Sequence, residues 1–252
     1  MNTAVSALIL AGSRPGAPDP VAVAERVSHK ALVTVGGRLM LERVIAAVRD
    51  SGIERIVVAA DHPEVIALAQ SCGAEVMAPE AGPSASVAAG FALLGAPMLV
   101  TTADHALLKG EWIRNFVAAM PLDADVAVLM ARRDTVLRAI PTTRRTWLRF
   151  ADGRWSGCNL FLLAGPNAAR ALDAWKTIES HRKRPWRLVA SLGLGTLFNY
   201  ARGKLTVSEA MLRLGLRFGL VARMIAANDG LAAIDVDKPE DLADVRRAVR
   251  RL

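Results

Sequence analysis

Short apolar runs alternate with stretches of helical periodicity through the first half of the chain. Residues 4–10 (AVSALIL) and 55–60 (RIVVAA) are β-rich apolar runs, whereas in 39–52 (LMLERVIAAVRDSG) the apolar positions recur at helical spacing. The same alternation continues to 97–104 (PMLVTTAD), which ends on an aspartate. Strands and helices in strict alternation predict an α/β fold with a mostly parallel sheet and helices on both of its faces.

The second half of the chain departs from this alternation. An arginine-rich segment precedes a further predicted strand at 157–165 (GCNLFLLAG). Residues 185–227 are predicted to be helical, and 231–252 to form a short strand followed by an amphipathic helix. We therefore predict one domain over residues 1–252, with a helical insertion or cap at about 180–228.

The predicted helical segment places lysine and arginine beside tryptophan, leucine and phenylalanine, a composition typical of helices that lie on a membrane surface. It has no run of the roughly 20 uncharged residues that a membrane-spanning helix needs. Two interpretations stay open, namely packing against the sheet and peripheral contact with the inner face of a membrane through residues 182–224. Because the N-terminal residues lack a basic n-region, we expect a cytoplasmic protein, with that peripheral contact as the alternative.

Composition narrows the classes of function. The formal net charge is +8, but only 5% of the residues are aromatic and no nucleic-acid-binding motif is present, so we expect no nucleic-acid partner. Cys72 and Cys158 lie far apart without metal-binding spacing, which predicts neither a zinc site nor a disulfide framework. The positive charge suits small phosphorylated substrates as well as an anionic membrane surface. No feature of the sequence specifies an oligomeric state.

The loop after the first predicted strand has the composition of a phosphate cradle. Residues 11–16 (AGSRPG) combine glycine, which lets the backbone approach a phosphate, with Arg14, which can bind one through two hydrogen bonds. Neither the Walker A motif nor G-x-G-x-x-G is present. Lys30 supplies a second cation for phosphates just before the next predicted helix, and Arg132 or Arg133 is a candidate for clamping a further substrate phosphate.

Two further segments carry candidate binding groups. Residues 82–87 (GPSASV) begin a predicted helix, where backbone N–H groups and Ser84 or Ser86 are placed to bind a base or ribose. Carboxylates from separate strand ends suit a Mg²⁺ ion that bridges substrate phosphates, because this ion prefers oxygen ligands and often takes only one or two from the protein. The candidate carboxylates are Asp104, Asp235 and Asp237.

The choice between Asp235 and Asp237 depends on the helix that follows them. Pro239 suits the first turn of that helix, and Asp237 is then a candidate N-cap. We therefore favour Asp235 as the metal ligand that acts with Asp104, and Asp237 stays the alternative.

The order of these motifs resembles the MobA-like NTP transferases, nucleotidyltransferases with the GT-A, Rossmann-like fold. The resemblance spans nearly the whole chain and is carried by LILAGSRPG at 8–16, HKALVTVGGRLMLERVI at 29–45, GPSASV at 82–87, TTADHALL at 101–108, GCNLFLL at 157–163 and DVDKPEDL at 235–242. It implies a three-layer fold and a Mg²⁺-dependent enzyme that transfers a nucleoside monophosphate from an NTP to a phosphorylated small-molecule acceptor, releasing pyrophosphate. CTP or GTP is the favoured donor, and a sugar, polyol or lipid-head-group phosphate is the favoured acceptor.

Matched position by position, the resemblance also implies roles for individual residues. Those at the base and phosphates are Leu10, Ala11, Gly12, Ser13 and Arg14, with Gly82 and Ser86 beside the nucleoside. Lys30 would contact phosphate, and Asp104 with Asp235 or Asp237 would bind the metal. Gly157 and Asn159 would face the acceptor.

This chain departs from the family pattern in two places: Ser13 stands where the family often has a second glycine, and a long insert separates Arg14 from Lys30. Two other functions stay open, a GT-A glycosyltransferase that uses a nucleotide-sugar and a degenerate nucleotide-binding or membrane-associated protein. The retained charged residues favour the nucleotidyltransferase. A phosphate monoester is already a nucleophile, so the predicted mechanism needs positioning and charge neutralisation rather than a His or Cys nucleophile.

Overall fold

The computed structural model describes residues 4–13, 16, 18–172, 175 and 194–251. The strands are β1 (Ser6–Leu10), β2 (Thr34–Val35), β3 (Arg38–Leu39), β4 (Ile56–Ala59), β5 (Glu75–Met77), β6 (Met98–Thr102), β7 (Val126–Arg132), β8 (Leu148–Phe150), β9 (Gly153–Leu163) and β10 (Ala222–Ala226). The helices are α1 (Pro20–Glu25), α2 (Met40–Asp50), α3 (Pro63–Ser71), α4 (Pro83–Leu94), α5 (Gly110–Ala118), α6 (Arg133–Ala139), α7 (Leu194–Ala201), α8 (Val207–Arg217) and α9 (Pro239–Val249). Turns of 3₁₀ helix lie at Lys30–Leu32, Pro166–Ala168 and Gly230–Ala233.

Within this part of the chain, eight strands form one sheet in the order β10-β7-β9-β6-β1-β4-β5, with β8 paired to β9. β1 is parallel to β4 and β6, β4 is parallel to β5, and β7 is parallel to β10. β9 runs antiparallel to β6, β7 and β8. The predicted mostly parallel α/β sheet is confirmed, with β9 inserted against the common direction between β6 and β7.

Helices cover both faces of the sheet. Ala7 and Ile9 of β1 belong to a buried cluster that includes residues of α2, α3, α5 and α9, whereas Leu8 between them belongs to a second cluster with Val87 of α4. The faces alternate because successive side chains of a strand point to opposite sides. The second face is tightly packed at Gly90, where an added Cβ would lie 3.2 Å from Leu8 Cδ1. The predicted three-layer arrangement is therefore confirmed.

Two predictions for the second half of the chain are wrong. Residues 222–226, predicted to be helical, form strand β10, because Gly219 in the left-handed region (φ +68°) follows α8 and the chain then pairs with β7. The strand predicted after residue 230 is a 3₁₀ turn, because the Asp229 carboxylate accepts a hydrogen bond from the Leu231 N–H at 2.9 Å and caps the turn. Gly230 is packed so closely there that an added Cβ would meet the carbonyl oxygen of Thr135 and lie 2.6 Å from its carbonyl carbon.

The remainder of the predicted helical segment is only partly described. α7 and α8 lie within it, whereas residues 176–193, including the basic run at 182–187, lie outside the described residues. The helical cap and its membrane contact therefore stay predictions. Among the described helices, none combines the length and apolar character needed to cross a membrane.

Candidate functional site

The candidate site lies at the edge of the sheet where β1 and β6 end. These strands are parallel, so the segments that follow them lie side by side. β9 is antiparallel to β6, so its first half enters the sheet at the same edge. The Val236 N–H donates a hydrogen bond to the carbonyl oxygen of Asp104 at 3.1 Å. This contact places Asp235 and Asp237, which flank the buried Val236, beside the end of β6.

The ammonium group of Lys30 lies among three carboxylates. Its Nζ is 2.8 Å from Asp104 Oδ2, 3.8 Å from Asp237 Oδ1 and 3.9 Å from Asp19 Oδ2. Burial opposes the charged form of Lys30, but the carboxylates, with Asp104 the strongest, outweigh it and raise the pKa of this lysine. Lys30 is therefore a permanent cation at neutral pH, held between carboxylates from separate segments.

Both oxygens of Asp104 are fixed. Oδ2 accepts from Lys30, and Oδ1 accepts a hydrogen bond from Thr102 Oγ1 at 2.5 Å. Burial opposes ionisation of this carboxyl group, but the charge and hydrogen bond of Lys30, with the hydrogen bond of Thr102, keep the pKa of Asp104 below its ordinary value. Asp104 is therefore an oriented carboxylate at neutral pH.

Asp235 is held by two side chains. Its Oδ1 accepts from Arg145 Nη1 at 2.6 Å, and its Oδ2 accepts from Asn159 Nδ2 at 2.5 Å. Asn159 adopts φ +48°, a left-handed conformation that asparagine tolerates better than most residues. Burial opposes the charge of Arg145, but Asp235 outweighs it and raises the pKa of the guanidinium. Both oxygens of Asp235 are thus engaged with the protein itself.

Asp237 has the opposite character. Its side chain is 59% exposed, against 10% for Asp235, and within the described residues its carboxylate has only the 3.8 Å contact with Lys30. Partial burial, followed by the charges of Asp235 and Asp104, raises the pKa of Asp237 above its usual range. A cation bound beside Asp237 would offset the negative charges around it and stabilise its ionised form.

The predicted N-cap role of Asp237 is wrong. Lys238 holds the N-cap position of α9, and Pro239 is the first helical residue. The Asp241 carboxylate supplies the cap instead, since it accepts from the N–H groups of Asp237 at 3.2 Å and Lys238 at 3.1 Å. The Asp237 side chain is therefore left to face Lys30.

The cluster fits a divalent cation. Its charged groups are Asp19, Asp104, Asp235, Asp237, Lys30 and Arg145, a set with two more negative than positive charges. Over the described residues, no group of three or more His, Cys, Asp or Glu side chains forms a complete metal cage. Two carboxylates suffice for Mg²⁺ when substrate phosphates supply further ligands. The Lys30 ammonium lies between Asp104 at 2.8 Å and Asp237 at 3.8 Å, so both carboxylates face the same positive charge.

The loop after β1 extends the site toward β4. The Ala11 N–H donates to the Ala59 carbonyl at 2.9 Å. At Gly12 an added Cβ would lie 3.0 Å from Pro79 Cβ, so the chain passes close to the segment after β5. Leu10, the last residue of β1, is half-buried directly before this loop, and Arg14 lies outside the described residues.

An acidic side chain that sequence reasoning missed, Asp61, lies beside this loop and belongs to the segment after β4. Asp61 Oδ1 accepts hydrogen bonds from the Ser13 N–H at 3.2 Å and from Ser13 Oγ at 3.1 Å. The sequence predicts that Ser13 binds phosphate, and in the structure these two donors are bound by the Asp61 carboxylate. Asp61 lies just after β4, which is parallel to β1, so its position in the sequence could have predicted that it lies beside the loop after β1.

The predicted nucleoside-binding segment lies at the same edge of the sheet. α4 leads from the carboxyl end of β5 back to the start of β6, and Gly82 is its N-cap residue. Ser84 and Ser86 are buried in its first turn. Ser86 Oγ accepts from the Glu80 N–H at 2.9 Å, so this hydroxyl fixes the preceding loop. The first turn of α4, which the sequence predicts to bind the nucleoside, therefore begins at the carboxyl edge of the sheet.

The four residues predicted to bind the acceptor have different surroundings in the structure. An added Cβ at Gly157 would meet nothing within 4 Å, so the strand is open there, whereas Asn159 is bound to Asp235. Arg132 is engaged at the β8–β9 turn, where its Nη2 donates to the Asp152 carbonyl at 2.9 Å. Arg133 is the first residue of α6. The arginine in the charge cluster is instead Arg145, which nothing in the sequence distinguishes from the other arginines of its segment.

The sequence profile of the MobA-like NTP transferase domain matches residues 7–193. A 3-deoxy-manno-octulosonate cytidylyltransferase from Acidithiobacillus ferrooxidans is 32% identical over 130 residues, which cover 50% of this chain and 49% of that protein. The chain therefore spans about half the length of this relative.

The fold is shared with solved structures over nearly the whole chain. A hypothetical transferase from Thermus thermophilus has a TM-score of 0.80 and 27% identity, with 95% of this chain and 100% of that chain covered. A CMP:2-keto-3-deoxy-manno-octonic acid synthetase complexed with CTP has a TM-score of 0.57 and 16% identity, with 99% of each chain covered. At that identity the second likeness shows the fold alone.

Proposed function

Because this chain belongs to the MobA-like NTP transferase domain family, we propose that it transfers a nucleoside monophosphate from an NTP to a small anionic acceptor and releases pyrophosphate. The observation that carries this proposal is the position of Lys30 between Asp104 and Asp237, beside the loop after β1. The name of the 32% identical relative, a cytidylyltransferase, favours CTP as the donor over GTP. The acceptor class includes the predicted phosphorylated small molecules and the sugar acid that the relative's name indicates.

We assign the metal-binding role to Asp104 and Asp237, which reverses the preference for Asp235 that the sequence suggested. The carboxylate of Asp235 is 10% exposed and already bound by Arg145 and Asn159, whereas that of Asp237 is 59% exposed and has only a 3.8 Å contact with Lys30. Asp237 is therefore the more accessible partner for Asp104. When bound there, Mg²⁺ would neutralise phosphate charge and orient the phosphates.

The side chains of this protein perform positioning and charge neutralisation. In the proposed reaction an acceptor oxygen forms a bond to the α-phosphorus, and the bond from that phosphorus to the pyrophosphate oxygen breaks. Lys30 stabilises negative charge that develops on the phosphates, and Thr102 holds Asp104 in the required orientation. Lys30 and Asp104, whose side chains are 19% and 16% exposed, lie where charges interact more strongly than in water.

The test is pyrophosphate release from each of ATP, CTP, GTP and UTP, with Mg²⁺ or with EDTA. The acceptors are 3-deoxy-manno-octulosonate and glucose 1-phosphate. We expect turnover with CTP that requires Mg²⁺, and a loss on the order of 10²-fold or more in kcat/KM for Lys30→Gln. Lys109→Gln is the matched control, because Lys109 is also paired with a carboxylate, Asp229 at 3.4 Å, but lies outside the cluster.

Equal activity of Lys30→Gln and Lys109→Gln would contradict the assigned role of Lys30. Absence of pyrophosphate release with every NTP, together with release of a nucleoside diphosphate from a nucleotide-sugar, would replace the proposal by the glycosyltransferase alternative. Turnover in EDTA equal to that in Mg²⁺ would remove the metal from the proposal.

A further inference from the structure

Arg145 differs in its surroundings from the other arginines of segment 132–154. Its side chain is only 13% exposed, and two of its nitrogens are fixed, Nη1 by Asp235 Oδ1 at 2.6 Å and Nε by Ser156 Oγ at 3.3 Å. No described residue accepts a hydrogen bond from Nη2. The guanidinium is therefore held rigidly from one side, with donors left over on the other.

Stability alone does not explain this arrangement. A buried ion pair loses most of its Coulombic gain to the cost of desolvation, and well-packed apolar residues often replace such a pair without loss. Here Asp235 is also held by Asn159, whose backbone adopts the left-handed conformation. Three polar side chains thus fix the orientation of one guanidinium.

The sheet order places Arg145 on a different side of the reaction centre from the nucleotide. The loop after β1 and the first turn of α4 lie on the β1 side of β6. Ser156 and Asn159, which contact Arg145 and Asp235, belong to β9 on the opposite side of β6. Asp104, at the end of β6, separates the two sides. The β9 side is therefore the side of Asp104 that the predicted nucleotide-binding segments leave free for an acceptor.

We propose that Arg145 binds an oxyanion of the acceptor, a carboxylate or a phosphate, and that Asp235 and Asn159 position its guanidinium for this task. The proposal rests on the proposed function, because it identifies the acceptor side of the same site. Gly157 belongs to the same proposal, since the open space beside it on β9 gives the acceptor room next to Arg145. Arginine suits this role because its planar donors match the geometry of both oxyanions.

The experiment measures steady-state kinetics with a charged and a neutral form of each acceptor. The carboxylate acceptor is 3-deoxy-manno-octulosonate with its methyl ester as the neutral form, and the phosphate acceptor is glucose 1-phosphate. Methyl glucoside, which lacks the attacking phosphate, is the neutral counterpart of glucose 1-phosphate as a competitive inhibitor, and its inhibition constant takes the place of a KM. For Arg145→Lys we expect the KM of one charged acceptor to rise about 10-fold or more, while the KM of CTP changes less than 2-fold. The acceptor whose KM rises identifies the oxyanion. Arg149→Gln is the control, because Arg149 is an exposed arginine of the same segment.

A second variant tests Arg145 without leaving Asp235 as an unpaired buried charge. Arg145→Gln combined with Asp235→Asn removes both charges together, so that neither is left buried alone. In this double variant the preference for the charged acceptor over its neutral form should fall about 10-fold or more. An acceptor KM within 2-fold of wild type in both variants, or an equal rise in the KM of CTP, overturns the proposal.

Failure of the proposed function would give a different result. If the wild-type protein released no pyrophosphate with any NTP, titration calorimetry with the same four compounds would decide the role of Arg145. Binding of a charged acceptor that weakens about 10-fold or more in Arg145→Lys supports the proposal. Binding that is absent in the wild type, or equal in the variant, overturns it.

Discussion

Replacement of Asp235 by asparagine should lower the thermal stability, whereas the same replacement at Asp237 should not. Asp235→Asn leaves the Arg145 guanidinium, 13% exposed, without its carboxylate. Removing one partner of a buried ion pair costs about 3–5 kcal/mol. At about 2–4 °C per kcal/mol for a domain of this size, the melting temperature should fall by about 6–20 °C.

Asp237→Asn should leave the melting temperature in EDTA unchanged or raise it. The pKa of Asp237 is raised in the folded protein, so its ionised form is less favourable there than in the unfolded chain at neutral pH. The neutral amide removes this unfavourable charge. The gain is small because the side chain is 59% exposed.

The measurement is the melting temperature by differential scanning fluorimetry, in EDTA and with Mg²⁺ plus CTP. A ligand at 100 times its Kd stabilises by about 2.7 kcal/mol, a readily measured shift. We expect Asp235→Asn to keep this shift on a lower baseline and Asp237→Asn to lose it on an unchanged baseline. A shift lost only in Asp235→Asn would refute the assignment of Asp237 and restore the sequence-based preference. Equal destabilisation by both variants would refute the account of the buried pair.

Three further predictions concern residues near the site. Burial lowers the pKa of His105 to about 4, so the unfolded state binds a proton at higher pH than the folded state. The free energy of unfolding should therefore fall by about 3 kcal/mol as the pH drops from 6.5 to 4. Urea unfolding at each pH should show this fall in the wild type and a smaller one in His105→Phe. Asp61→Asn removes a carboxylate from the Ser13 donors and should lower the KM for NTP several-fold, whereas an unchanged or higher KM would show that Asp61 does not compete with phosphate. Gly230→Ala forces a Cβ against neighbouring backbone and should cost about 1–3 kcal/mol or more in urea unfolding. Gly157→Ala, where an added Cβ meets nothing within 4 Å, is its control and should be close to neutral for stability.

The sequence predicted the parts of the fold that depend on local pattern. Apolar runs separated by helical periodicity predicted β1, β4 and β6 with the helices between them. The sequence also assigned Lys30 to substrate phosphates and Asp104 to a metal that bridges them, and the Nζ–Oδ2 distance between these two residues is 2.8 Å. Each of these predictions needed only a short stretch of sequence.

The parts that could not be predicted depend on pairing between distant residues. β10 follows directly from the helical pattern of α8, and only its pairing with β7 makes it a strand. Arg145 differs from the other arginines of its segment only through its ion pair with Asp235, which lies 90 residues away in the sequence. The cap of α9 was misassigned by sequence because Asp241, inside the helix, supplies the carboxylate that Asp237 was expected to supply.

The hydrogen bond from the Val236 N–H to the Asp104 carbonyl has a consequence for the order of folding. During synthesis the chain has β1, Lys30 and Asp104 long before residues 235–237, and α9 then docks on α1 through the Arg246–Glu25 ion pair at 2.6 Å. Contacts of such sequence separation form late, because closing the loop costs entropy before the contact stabilises the chain. Until then Asp104 lacks Asp237, the second carboxylate of the proposed metal site. We therefore expect this protein to bind the metal only after residues 235–237 have docked beside β6.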